Sequence, residues 1–114
     1  MKDCLFCKIA NGAIPANIIY RDDTIVAFDD INPQAPQHKI IIPQKHIATL
    51  NDLHDEDSEL IGQTIQVGTM LAKQLGVAND GYRLVFNCNA GAGQSVFHVH
   101  LHLLGGRRLS WPPG

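Results

Sequence analysis

No run in this 114-residue chain approaches the ~20 apolar residues that would span a bilayer. The opening residues Met1-Lys2-Asp3-Cys4-Leu5-Phe6-Cys7-Lys8 lack the apolar core of a secretory signal and are interrupted by charge. No membrane association is therefore expected, and the chain reads as cytoplasmic. An excess of one charge is missing too: nine Lys and Arg against eleven Asp and Glu leave a formal net charge of -2. Without a broad basic field, nucleic acid is not an expected partner. Cysteine is scarce and odd in number, and two of the three form Cys4-x-x-Cys7. In a reducing compartment this argues against a disulfide framework and toward metal binding or packing. Internal repeats and low-complexity tracts are absent, and 45% hydrophobic content over residues 1–114 suits one domain with a real core.

The hydrophobic pattern predicts an α+β fold. Asp3 is a plausible N-cap for a short helix through about Ala10, stopped by Asn11-Gly12. Ile18-Ile19-Tyr20 and Ile25-Val26-Ala27-Phe28 read as strands joined by an Arg21-Asp22-Asp23 turn. Asn32-Pro33-Gln34-Ala35-Pro36 is neither helix nor central strand, and His38 to Ile42 is the next strand, ended by Pro43. From about Asp55 to Leu75 the period becomes helical. Leu60, Thr64, Val67, Leu71 and Leu75 form the stripe, with Ile61, Ile65 and Ala72 beside it and Gly76 as the stop. Tyr82 to Cys88 and Phe97 to Leu104 are the last strands. Strands in meander order with one long helix imply an antiparallel sheet covered on one face, its other face left open for a site.

The most informative stretch is Phe97-His98-Val99-His100-Leu101-His102-Leu103-Leu104. Three imidazoles at alternate positions leave one face of a strand, while Val99, Leu101 and Leu103 enter the core. Neighbouring histidines then lie roughly 6–7 Å apart and the outer pair about 13 Å. One metal ion with ~2 Å bonds cannot hold all three without a bulge, although two can share a metal with ligands from elsewhere. Three in line suit separate jobs better: a nucleophile flanked by proton donors or orienting groups. The loop before them, Asn87-Cys88-Asn89-Ala90-Gly91-Ala92-Gly93-Gln94-Ser95, lets backbone N–H groups approach an anion, and Asn87, Gln94 and Ser95 add side-chain donors.

Other residues carry two readings each. His38 is a supporting relay or a plain surface histidine. Asp30 is a ligand-binding carboxylate or the cap of an Asn-Pro turn. Cys4 and Cys7 are small hydrophobes on the first helix, or half of a zinc site that His46 and His98 complete as Cys₂His₂.

These residues carry a family resemblance. His98-Val99-His100-Leu101-His102-Leu103-Leu104 matches the histidine triad signature. Gly93-Gln94-Ser95-Val96-Phe97, Leu104-Gly105-Gly106-Arg107, Trp111-Pro112-Pro113-Gly114 and the upstream Phe28-to-His38 block resemble the nucleotide-binding branch of that superfamily. The resemblance implies a homodimer in which two five-stranded sheets, each with one long and one short N-terminal helix, join into ten strands. It implies a nucleoside phosphoramidase cleaving the P–N bond of adenosine or guanosine 5′-phosphoramidates, with purine nucleotide conjugates as its ligands. His100 would be the nucleophile, His102 would contact phosphate and His98 would orient the row. Asp30 would bind the ribose hydroxyls, and Phe28 and Ile31 would line the base pocket. Asn87, Gly93, Gln94 and Ser95 would hold the phosphate, and the Trp111 tail would reach the partner's site. No cofactor is implied for the chemistry, and no magnesium motif appears. Some triad proteins with an N-terminal Cys-x-x-Cys resemble the structural zinc arrangement.

Two rival functions follow from the same residues. Dinucleoside polyphosphate hydrolases, the fragile histidine triad relatives, typically carry Gln where this chain has His102, which favours the phosphoramidase. A non-catalytic nucleotide-binding adaptor would use the same pocket.

Overall fold

The computed structural model describes residues 3–114; Met1 and Lys2, part of the segment read for a leader, lie outside the described residues. The elements are α1 (Leu5–Ala10), β1 (Ile18–Arg21), β2 (Ile25–Asp29), β3 (Gln37–Pro43), α2 (Ser58–Gln74), β4 (Tyr82–Phe86) and β5 (Leu101–Gly105). The five strands form one antiparallel sheet in the order β1-β2-β3-β5-β4. The expected α+β class holds, but the meander does not. The β3–α2–β4 connection takes the chain past one strand position, and β5 returns into the gap. The histidine-bearing strand is thereby central, with β3 on one side and β4 on the other.

The strand period distributes side chains to two covered faces. Ile25, Ala27, Ile41, Leu101 and Leu103 meet Val67, Leu71 and Ala72 of α2 and Val77 just beyond it. Val26, Phe28, Ile40 and Ile42 leave the opposite face and meet Phe6, Ile9 and Ala10 of α1. The histidine face is thus not an open floor: the short helix covers part of it.

Local chemistry moves several boundaries. The cap of α1 is Cys4, whose Sγ accepts from the Cys7 N–H at 3.3 Å, rather than Asp3. The first hairpin turns at Asp22-Asp23-Thr24, because the Asp22 carboxylate accepts from the N–H groups of Thr24 and Ile25 at 2.8 and 2.7 Å; Arg21 stays in β1. Asp55–Asp57 is a separate 3₁₀ turn ahead of α2, where buried Asp57 accepts from the His54 N–H and from Lys45 Nζ. Thr64, fully buried on the helix stripe, returns its hydroxyl to the Leu60 carbonyl at 2.8 Å. Ile65 faces outward. β4 ends at Phe86, short of Cys88.

The largest departure is the last strand, which begins at Leu101 rather than Phe97. The ladder with β3 runs from Gln37↔Gly105 to Ile41↔Leu101 and stops. Two steps further it would need Pro43, which has no N–H to give. The Pro43 carbonyl is taken by the His98 ring at 2.7 Å, and the Val99 N–H goes to Ile47 O at 2.7 Å. Only His102 of the three histidines lies on the strand.

Gly105 marks where α2's end presses on β5. A Cβ there would lie 3.0 Å from Val77 Cβ and Cγ2. Gly62, exposed on α2, has nothing within 4 Å of its virtual Cβ. Gly105→Ala is expected to lower stability by about 1–3 kcal/mol. Gly62→Ala should raise it by up to about 1 kcal/mol. Paired urea melts check both signs.

Candidate active site

The cross-strand register assembles the site from four strands. Phe28, Ile40, His102 and Val85 are successive partners across β2, β3, β5 and β4, so they share one face. His38 is two residues from Ile40 on that face, and its ring centroid lies 5.1 Å from that of His102. His100 follows at 4.9 Å on the other side of His102. Extending the β4–β5 register by one residue sets half-buried Asn87 opposite His100. The structure therefore gathers His38, His100, His102 and Asp30, with Phe28 on the same face of the sheet. His38 is buried, which discards its reading as a surface residue.

Hydrogen-bond partners dictate the tautomers, because an N–H can only donate and a carbonyl only accept. The Gln34 N–H donates to His38 Nδ1 at 3.0 Å, so the His38 proton is on Nε2. That N–H lies 2.9 Å from His102 Nδ1 and 3.3 Å from Asp30 Oδ2. His102 Nδ1 accepts it, and the His102 proton is left on Nε2. His100 runs the other way: its Nδ1–H donates to the His98 carbonyl at 2.7 Å, leaving a lone pair on Nε2. The row thus offers one ring nitrogen as nucleophile beside one as donor. Asp30 also accepts from the Asn32 N–H at 2.8 Å, so it caps its turn and faces His38 at once.

Burial keeps the row neutral. Desolvation pushes the His102 pKa down to about 4, reinforced by His100 and His38 and opposed by Asp30. His100 is lowered by burial against the counter-pull of its bond to the His98 carbonyl. His38 is also lowered by burial, which outweighs Asp30 beside it.

His98 belongs to a second cluster. Its ring is completely buried, its Nε2–H donates to the Pro43 carbonyl, and burial holds its pKa at about 4. The lone pair on Nδ1 therefore faces Cys4 Sγ and Cys7 Sγ, each at 3.4 Å, and lies 3.3 Å from His46 Nδ1. Cys7 Sγ is also 3.4 Å from His46 Nδ1. A tetrahedral zinc with ~2.3 Å bonds to sulfur and ~2.05 Å to nitrogen requires S···N edges of about 3.5 Å and N···N edges of about 3.3 Å. The four expected ligands fit that figure, and the His98–Pro43 bond is the kind of outer contact that orients a ligating histidine. Asp30, His38 and His102 also bring their ligand atoms together. There the Gln34 N–H occupies Nδ1 of His38, so Nε2 bears a proton and has no lone pair for a metal. One cluster has the donor set and spacing that could hold a metal ion; the other forms a hydrogen-bond relay.

The loop is less open than its composition suggests. The Gly93 N–H donates to Ala90 O at 3.0 Å and the Gln94 N–H to Asn89 O at 3.1 Å. The buried Gln94 amide accepts from the Asn89 N–H and donates to Ala48 O and Val96 O. Gln94 shapes the loop from inside. Ser95 is exposed and lines a hollow with Cys4, Leu5, His46 and Phe97, while Ile31 projects entirely into solvent. Sequence reasoning missed the main-chain partners at Gln34 and Pro43, which no side-chain identity announces. It also missed Phe6, flagged only by its place between two thiols.

The comparisons agree with this architecture. A family model described as the HIT domain matches residues 11–109. The purine nucleoside phosphoramidase of Escherichia coli K12 is 48% identical over 108 residues, covering 95% of this chain and 91% of that protein. A HIT family hydrolase from Legionella pneumophila superposes with a TM-score of 0.97 at 58% identity, over 98% of this chain and 100% of that one. A histidine triad nucleotide-binding protein from Candida albicans gives 0.81 at 32% identity, over 96% and 83%. The chain belongs to the HIT family, the histidine triad proteins.

Proposed function

We propose that this protein is a purine nucleoside phosphoramidase working through a nucleotidyl-histidine intermediate. One observation carries the reading: the His100 Nδ1–H is committed to the His98 carbonyl, so the Nε2 lone pair is the reactive one, beside the His102 donor. A relative 48% identical over 95% of the chain is named for the same activity. His100 Nε2 attacks the α-phosphorus, the P–N bond breaks, and the amine leaves with a proton from the phosphoramidate or a neighbouring imidazole. Water then cleaves the P–imidazole bond, releasing the nucleotide and restoring His100. The His102 Nε2–H donates to a phosphoryl oxygen in both steps, held in that tautomer by His38.

Asp30 takes the ribose hydroxyls, and Phe28 and Ile31 flank the base. Asn87, Ser95 and the loop bent by Gly93 and Gln94 enclose the phosphate. β4 leaves one edge without a partner strand among the described residues, and its Leu84 and Phe86 are only half-buried. A second copy pairing there makes the homodimer and brings the Trp111 tail to the neighbouring site. Cys4, Cys7, His46 and His98 hold a structural zinc whose four protein ligands would pin α1 to the sheet.

Adenosine 5′-phosphoramidate is expected to be hydrolysed to AMP without added Mg²⁺. His100→Gly should cut turnover at least about 10³-fold while AMP affinity changes only a few-fold. Acid-quenched mass spectrometry should find the nucleotidyl adduct on His100. Binding without turnover or adduct would instead identify an adaptor.

The pH profile has a definite sign. His102 accepts from His38 only while neutral, and its pKa is about 4 rather than 6.5. Activity, corrected for acid hydrolysis of the substrate, should stay level as pH falls through 6.5, the ordinary histidine value. The loss should come below that value, as the buried imidazoles of His100, His38 and His102 take up protons, with His102 doing so near 4. A half-loss at 6.5 would mean that an imidazole of the row keeps its ordinary value, against the buried, neutral arrangement.

Metal analysis of protein purified without chelator should find about one zinc per chain, and Cys7→Ser should lose most of it together with thermal stability. Less than about 0.2 zinc per chain would discard the site.

A further inference from the structure

Phe6 takes no part in the proposed chemistry yet packs against its nucleophile. It stands between the two thiols in Cys4-Leu5-Phe6-Cys7 and is only 5% exposed. Its ring meets the His100 imidazole with centroids 5.0 Å apart and planes at 86°. It also meets Phe28 at 5.4 Å and 68°, and His98 at 6.2 Å and 69°. All three are perpendicular-type aromatic contacts, which depend on ring orientation as well as on burial.

The His100 ring needs such a contact. The torsion that turns an imidazole about its Cβ–Cγ bond has broad minima, so one hydrogen bond at Nδ1 leaves the ring free to tilt. A turn about that bond shifts Nε2 and re-aims its lone pair. His102 limits the ring on one side at 4.9 Å and Phe6 limits it on another. Phe6 is itself firmly placed. A six-residue helix has no stability of its own, so α1 depends on its packing and its ties. The ties are the two sulfurs beside His98 and His46 at one end, and at the other a bond from Arg21 Nη1 to the Ala10 carbonyl at 2.7 Å.

We propose that Phe6 is a positioning residue that holds the His100 imidazole at the tilt from which Nε2 reaches phosphorus, and that the Cys4-to-Cys7 turn serves to place it. The proposal rests on His100 being the nucleophile, and it adds a specific demand on the first helix. A flat ring is required at position 6, and apolar volume alone does not suffice.

The test compares the full-length protein as purified with Phe6→Leu and Phe6→Tyr. Each is assayed for metal content, melting temperature, kcat and KM on adenosine 5′-phosphoramidate, and the ¹⁵N resonances of His100. Phe6→Leu is expected to keep the metal and leave KM within about threefold, while kcat falls about 10- to 100-fold. Its His100 nitrogens should move from a single Nδ1–H tautomer toward a mixture. Phe6→Tyr, which keeps the ring, should recover most of kcat. A Phe6→Leu enzyme with kcat within about threefold of the parent and unshifted His100 resonances overturns the proposal. So does a loss of kcat in the folded variant that merely tracks lost metal. Should Phe6→Leu not fold, Phe6→Met is judged by the same criteria. If the parent protein shows no turnover, the phosphoramidase reading fails by itself. The ¹⁵N comparison still decides whether Phe6 holds the ring.

Discussion

The site depends on the main-chain carbonyl of one buried residue, His98. Its ring is committed at both nitrogens, Nε2–H to the Pro43 carbonyl and Nδ1 to the group formed by Cys4, Cys7 and His46. With the ring locked, the backbone at residue 98 is locked as well, and its carbonyl accepts the Nδ1–H of His100 at 2.7 Å. His98 is expected to orient the row, and the part of it that bonds to His100 is its backbone carbonyl. The ring itself has no free nitrogen for proton transfer.

Neutrality is the second condition. A chain of donors from the Gln34 N–H through His38 to His102 works only while each imidazole accepts on one nitrogen and donates from the other. A proton added to either ring would set two N–H groups against each other. Burial prevents this by penalising every charged form, and at His38 it prevails even over a carboxylate oxygen 3.3 Å away. The short helix contributes by covering part of the same face, where Phe6 meets His100.

Much of this was legible in the sequence, and what was not has identifiable causes. The strand and helix periods placed α2, the first four strands and the apolar faces, because burial imposes those periods directly. His98, His46 and Cys-x-x-Cys could be named as a Cys₂His₂ set from residue type and ligand geometry. The extent of β5 was misjudged because alternation reports only an extended backbone. Whether an extended segment joins a ladder depends on the neighbour's donors, and here the neighbour is Pro43. The strand order escaped for a similar reason, since a local pattern does not say which edge a returning strand joins. Gln94 looked like a ligand donor because its composition is that of a flexible loop; its amide is spent on the main chain of Asn89, Ala48 and Val96.

The end of the ladder at Pro43 also divides the labour among the histidines. Had β5 run on through Phe97, His98 would have stood on the open face about 13 Å from His102, available for chemistry but without ligand partners. Because Pro43 lacks an N–H, the chain turns off the sheet, Val99 bonds to Ile47, and His98 is carried to the sulfurs of α1. Two thiols and two imidazoles at tetrahedral spacing make a closed set, with no position left for water or substrate. A zinc held there would be confined to a structural role by its own ligands. On the proposed reading the chemistry falls to His100 and His102, which lie beyond the turn-off.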